Sequence, residues 1–296
     1  VRESELHEHI ARHSSGLGSD VVVGPGDDCA VVRTPTGDVL LLTVDQLIEG
    51  RHFGAGTPID AIARKAVARS VSDIAAMAGE PAWSVATAAL PTDDTHAADL
   101  YDRLAAWARR WRCPLVGGDL ATTAGPVSLT VTVIGRAHRA RGPVLRSTAK
   151  PGEGVYVTGA LGGSLASGRH LTFEPRVDEA RALGDTLGDR LTSMIDLSDG
   201  LGRDAGRVAR ASGVRIEIDA ALVSLADGVT TWRQALGDGE DHELCFTALG
   251  DVPGEVAGTP ITRVGRVVEG AGCVVLDHGA EHDASEMGWE HEGGRQ

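Results

Sequence analysis

Seven aspartates sit beside glycine, serine or threonine in five short clusters, several of them at the ends of apolar runs. A fold that buries those runs must bring cations to the carboxylates or leave them in water, because an unpaired buried charge is costly. The clusters read Gly24-Pro25-Gly26-Asp27-Asp28, Thr43-Val44-Asp45, Val71-Ser72-Asp73, Gly117-Gly118-Asp119 and Asp196-Leu197-Ser198-Asp199-Gly200. Magnesium prefers hard oxygen ligands and usually takes one or two carboxylates plus phosphate oxygens. Carboxylates presented from several elements therefore suit a polyphosphate held through bridging ions.

The rest of the composition narrows the choice. At 296 residues the chain is long for one hydrophobic core and comfortable for two domains. No apolar run approaches the roughly 20 residues of a spanning helix, so a membrane protein is not expected. Arg2, Glu3, Glu5 and His7 lack the basic-then-apolar order of a signal peptide, which reads as cytoplasmic. A net charge of −14 disfavours a nucleic-acid partner but not a nucleotide bound as its magnesium salt. The two lysines, Lys65 and Lys150, lie outside any G-x-x-x-x-G-K-[ST] pattern, which excludes a P-loop. Cys29, Cys113, Cys245 and Cys273 form no C-x-x-C pair, and three of them (Cys29, Cys245 and Cys273) lie in strand-like runs as expected buried thiols.

Apolar β-branched runs predict strands at Val21–Val23, Val39–Val44, Leu129–Ile134, Val155–Thr158, Val214–Ile218, Glu243–Thr247 and Cys273–Leu276. Helical spacing predicts helices over Ile59–Met77, His96–Trp111, Val177–Leu187 and Leu201–Ala211. Strands and helices mix without strict βαβ alternation, so the fold class is α/β of the mixed α+β kind. Arg, Gly and Pro interrupt the pattern between Arg139 and Gly154, dividing the chain into domains 1–138 and 139–296.

Each cluster has two readings. Asp27 and Asp28 are equally a turn with solvated acids or a turn that aims a carboxylate at a metal. Asp45 ends a buried-looking strand, which favours an ion. Asp73 shares a helical face with Ala66, Ser70 and Met77 and is half-buried on that spacing. Asp119 follows two glycines at a strand-to-loop step after Pro114-Leu115-Val116, where backbone can approach a ligand. Ser198 or Asp199 would cap the helix that begins near Gly200, or leave its N-terminus for a phosphate.

Taken in order, these stretches resemble the thiamine-monophosphate kinases, members of an ATP-binding superfamily with aminoimidazole ribonucleotide synthetase. The resemblance runs through the aspartate clusters and Glu49-Gly50-Arg51-His52-Phe53, Lys65-Ala66-Val67, Arg146 with Ala149-Lys150-Pro151-Gly152, Gly239-Glu240-Asp241-His242-Glu243-Leu244 and Gly288-Trp289-Glu290-His291. It implies an aminoimidazole ribonucleotide synthetase-like fold in two domains, with an N-terminal sheet that forms a barrel with a second subunit and a C-terminal α+β domain. By resemblance, Asp28, Thr43, Asp45, Asp73, Asp119, Asp196 and Asp199 hold Mg2+. Gly118, Asp119, Arg146 and Ser198 contact ATP, while His52, Glu240 and Trp289 contact thiamine phosphate, Trp289 by stacking.

The implied reaction is γ-phosphoryl transfer from ATP to thiamine phosphate in a homodimer. Its acceptor is a phosphate oxygen already ionised at neutral pH, so no general base is assigned. The chain departs from the family pattern at Val44, Ser70, residues 120–123, Asp238 and His242, the last in a place commonly held by Tyr. Two rivals remain. An enzyme that uses ATP to activate an amide or carbonyl oxygen should lack the terminal aromatic and the G-E-D-x-E-L box, and both are present. A nucleotide-binding regulator without turnover would be favoured by loss of a metal aspartate, and none is lost.

Overall fold

A computed structural model describes residues 6, 9–10, 13–14, 16–92, 95–284 and 287–289. Glu290 and His291 of the terminal box, and Arg2, Glu3, Glu5 and His7, lie outside the described residues. The first half contains β1 (Val21–Val23), β2 (Ala30–Arg33), β3 (Val39–Ile48), α1 (Ile59–Ala76), β4 (Glu80–Pro91), α2 (Ala97–Arg110), β5 (Leu115–Thr123) and β6 (Ser128–Arg136). Its strands order as β1-β2-β3-β6-β4-β5, antiparallel except for the parallel β4–β5 pair.

Both helices lie on one face of this sheet. In α1, Ala63, Val67, Val71 and Ile74 recur at helical spacing and are buried against Leu41, Leu47, Leu129, Val131 and Val133 of the strands. Alternation along β3 sends Leu41, Thr43, Asp45 and Leu47 toward the helices and Val44 and Gln46 to the opposite, open face.

The second half contains β7 (Gly154–Thr158), α3 (Val177–Leu187), β8 (Leu191–Asp196), α4 (Leu201–Ser212), β9 (Arg215–Asp219), β10 (Leu244–Ala248), β11 (Glu255–Val256), β12 (Thr259–Val268), β13 (Gly272–Asp277) and β14 (Ala280–Asp283). Its sheet orders as β14-β13-β9-β12-β7-β10-β8, with β11 paired to β12. On one side, α4 buries Leu201, Ala205 and Val208 against Val155, Ile195 and Ile216. On the other, Ala75, Ala76 and Ala78 at the end of α1 pack with Leu183, Met194 and Phe246. Thus α1 belongs to the cores of both halves.

The predicted strands and helices are present with ends shifted by a residue or two, except that β3 runs four residues further, to Ile48, so that Asp45 lies inside it rather than at its end; the α/β class with two sheets stands. β4, β8 and β12 carry no clear sequence signal. β4 is rich in Ala, Pro and Ser, and its pairing to β6 and β5 supplies what its own propensity lacks. The strand-to-loop expectation at Asp119 is corrected: β5 runs on to Thr123 because residues 120–123 stay paired with residues 88–91 of β4. Among the described residues no helix is long and apolar enough to cross a membrane.

Candidate active site

The site forms where α1 passes between the two sheets. Adjacent residues of α1 reach opposite ways: the Thr43 hydroxyl of β3 donates to Asp73, while Ser72 Oγ donates to Asp196 Oδ2 of β8 at 2.6 Å. Asp28 enters from the turn before β2. Oxygens of Asp28, Asp73 and Asp196 lie within 4.8 Å of one another.

Cations surround this trio but do not reach all of it. Arg146, in the 3-10 turn Arg146–Thr148 between the halves, forks onto Asp28, with Nε 2.9 Å from Oδ2. Arg69 lies 3.3 Å from Asp45, Lys65 lies 2.6 Å from Glu240, and Arg207 pairs with Asp199. Asp73 receives a hydroxyl, and Asp196 receives Ser72 and His242 Nδ1 at 3.1 Å. The carboxylates therefore crowd with too little positive charge at the centre.

Acidity follows. Burial, reinforced by Asp45, Asp196 and Asp28, pushes Asp73 well above the usual carboxylate range. Burial also lifts Asp28 to about 7 despite Arg146. Burial opposes ionisation of Asp196 too, but hydrogen bonds from His242 and Ser72 hold it below its ordinary value. Burial would lower His242, yet Asp196 and Glu240 raise it to about 9. Closely set hard oxygens, short of cations, are a donor set that a divalent ion fits.

The substrate-side candidates adjoin this centre. His52 Nδ1 accepts from the Ile48 amide at 2.9 Å, and its carbonyl accepts from Lys65 Nζ at 2.9 Å. Glu240 is held by an ion pair with Lys65, itself 1% exposed. Trp289 is half exposed, and its amide donates to the Asp199 carbonyl at 2.9 Å, which ties the chain end to the aspartate loop. Ser198 accepts the Glu240 amide at 2.7 Å through its carbonyl.

Three local expectations change. Neither Ser198 nor Asp199 caps α4; Asp204 does so from inside the helix, its Oδ2 accepting the amides of Asp199 and Gly200. The Arg146 fork expected to meet phosphate is closed on Asp28, since two buried opposite charges satisfy each other. Asp119 is not in the central trio. It pairs in register with Thr87, Thr87 with Thr130 and Thr130 with Gln46, which sets it on the open face of the sheet. Gly118 is a close-approach position, because a Cβ there would lie 2.0 Å from the Ala86 carbonyl oxygen.

Sequence reasoning did not find Lys65, Arg69, Ser72, Asp204, Arg207 and His242 as site residues. Three of them carried a visible signal: Lys65 as one of two lysines in the chain, Ser72 beside Asp73 in its cluster, and His242 as a departure inside the G-E-D-x-E-L box.

Residues 26–137 match the family described as AIR synthase related protein, N-terminal domain. The chain is 37% identical over 275 residues to the thiamine-monophosphate kinase of Rhodopirellula baltica, covering 84% of each. The chain belongs to the thiamine-monophosphate kinase family. The Escherichia coli K12 member of that family is 35% identical over 309 residues, covering 90% of this chain and 92% of its own length. Among solved structures, one described as AaThiL complexed with AMPPCP and TMP superposes with a TM-score of 0.83 at 29% identity, covering 98% of this chain and 97% of its own. That match extends over nearly the whole of both chains.

Proposed function

We propose that this chain transfers the γ-phosphoryl group of ATP directly to thiamine phosphate, giving thiamine diphosphate and ADP. The observation that carries the reading is the Asp28, Asp73 and Asp196 trio, buried at Asp28 and Asp196 and half-buried at Asp73, in a chain of this family. A phosphate oxygen of thiamine phosphate attacks the γ-phosphorus as the bond to the β–γ bridging oxygen breaks, and ADP leaves with that electron pair. The acceptor is already ionised, so positioning and electrostatics supply the catalysis.

Asp28, Thr43, Asp45, Asp73, Asp196 and Asp199 are the residues that would hold Mg2+ at this centre, and Asp119, on the open face of the sheet, would do so where a second copy docks. When bound, such ions neutralise triphosphate charge that repels the incoming phosphate. Arg146 provides a permanently charged planar guanidinium beside Asp28, and Gly118, Asp119 and Ser198 complete the nucleotide contacts. Glu240 complements the cationic thiazolium, with His52 at its side. Trp289 offers an aromatic face to the same cation, worth about 0.5–2 kcal/mol.

The working unit in this reading is a homodimer through the open face of the first sheet. Val44, at 60% exposure, lies there with Trp83 and Val85, an apolar surface of the kind that marks interfaces. Asp119 shares that face, so docking of a second copy would place a Gly118-Asp119 pair at the subunit junction.

The test is incubation with Mg-ATP and thiamine phosphate, with chromatography of the products and free thiamine as control. Thiamine diphosphate formed only from thiamine phosphate is the expected result. ATP consumption without that product, or no turnover at all, would overturn the reading.

A further inference from the structure

His242 lies between two carboxylates that the proposed function gives to different tasks. Its ring lies flat on Phe173, with centroids 3.9 Å apart and an interplanar angle of 14°. Nδ1 is 3.1 Å from Asp196 Oδ2, and Nε2 is 3.9 Å from Glu240 Oε2. The residue is 3% exposed, and Nε2 has no hydrogen-bond partner. Buried polar atoms are nearly always satisfied, so an orphan aimed at the substrate-side carboxylate needs a reason. An apolar aromatic would fill the place on Phe173 without creating it.

The backbone supports a built arrangement. Gly239, Glu240 and His242 have φ of 70°, 56° and 50°, left-handed values that bulky side chains rarely adopt. Such conformations persist where the surroundings over-determine them, and they gather at functional sites. Here the surroundings are the aspartate loop. The Glu240 amide donates to the Ser198 carbonyl at 2.7 Å, the His242 amide to Leu197 at 2.8 Å, and the Leu197 amide to Glu243 at 2.8 Å. The turn that carries Glu240 is thereby joined to the loop that carries Asp196 and Asp199.

We infer that His242 is a positioning residue of the phosphoryl transfer, which sets the metal-side Asp196 and the substrate-side Glu240 relative to each other through one ring. The inference rests on the roles proposed above for those two carboxylates. With Ser72, Nδ1 occupies Oδ2 of Asp196, which orients the carboxylate for an ion on its Oδ1 side. Partners of this kind behind a metal ligand orient it, and their loss costs about 10–100-fold in affinity or activity. Nε2 faces Glu240 and is available to steady that carboxylate when the thiazolium arrives.

The experiment uses His242→Phe, which keeps the stack and removes both nitrogens, His242→Asn, whose amide replaces Nδ1, and His242→Gln, whose amide reaches toward Nε2. Three quantities are read on the full chain: Mn2+ affinity by electron paramagnetic resonance with AMPPCP present, KM for thiamine phosphate, and the melting temperature. In His242→Phe, Mn2+ affinity is expected to fall by about 10-fold or more and KM to rise. His242→Asn should restore Mn2+ affinity with KM still raised, and His242→Gln the reverse. Folded His242→Phe with both values within about twofold of wild type would overturn the proposal. Should His242→Phe not fold, equal Mn2+ affinity and equal KM in the Asn and Gln variants would do the same. Wild-type chain that forms no thiamine diphosphate would instead overturn the kinase reading, with the Mn2+ comparison still deciding the contact to Asp196.

Discussion

The Lys65 ammonium lies 2.6 Å from Glu240 Oε2 and 2.9 Å from the His52 carbonyl oxygen, so one buried cation holds two substrate-side residues from opposite halves of the chain. Burial lowers the Lys65 pKa, and Glu240 opposes that shift as its ion-pair partner. Glu240 in turn is held well below the usual carboxylate range; burial works against its ionisation, and His242 and Lys65 outweigh burial.

Replacing Lys65 with Met takes from Glu240 its nearest cation. Breaking a buried pair from one side costs about 3–5 kcal/mol, so a large drop in melting temperature is expected. The KM for thiamine phosphate should rise, whereas the double variant Lys65→Met/Glu240→Gln should recover stability but not KM. Equal KM in the single variant and wild type would show that the pair does not shape the substrate site.

Asp73 gives a prediction of opposite sign. Its carboxylate is crowded by Asp28 and Asp196 and has no cation of its own, while its contact to Thr43 is one that an amide oxygen accepts equally well. Asp73→Asn should therefore match or exceed wild type in melting temperature without metal, and lose the stabilisation that Mg-AMPPCP confers, along with turnover. A metal-free variant less stable than wild type, with ligand stabilisation intact, would remove Asp73 from the metal set.

Trp289→Ala should leave the fold intact, since Trp289 is half exposed and the bond from its amide to the Asp199 carbonyl does not need the ring. KM for thiamine phosphate is expected to rise by about 2- to 30-fold if the ring faces the thiazolium. Steady-state kinetics checks this, and an unchanged KM argues against the stack.

On the open face, Val44→Glu/Val85→Glu would place two carboxylates in the apolar surface. Sedimentation should then show a monomer where wild type is a dimer, with secondary structure by circular dichroism unchanged. A wild-type monomer, or a variant dimer, would place the subunit contact elsewhere or remove it.

Much of this molecule is legible in local pattern. Period-3.6 spacing of Ala63, Val67, Val71 and Ile74 marks α1, and β-branched runs mark β3, β6 and β9, because each needs one apolar face to be buried. The aspartate clusters stand out for the same reason, as charges set where apolar runs end. β4 was not legible, since its Ala, Pro and Ser take strand form only between two partners.

The sequence by itself determined the α/β class and, through its ordered boxes, the family, and it marked the aspartates as candidates. Only the tertiary structure decided which carboxylates meet. Asp28, Asp73 and Asp196 converge because α1 is packed between two sheets, while register puts Asp119 on the other face. It also decided that Lys65, Arg69 and Arg146 each take a separate carboxylate and Arg207 takes two, Asp199 and Asp204, leaving the centre short of charge. Those pairings join residues far apart in the chain, and their strength depends on burial, which no local spacing encodes.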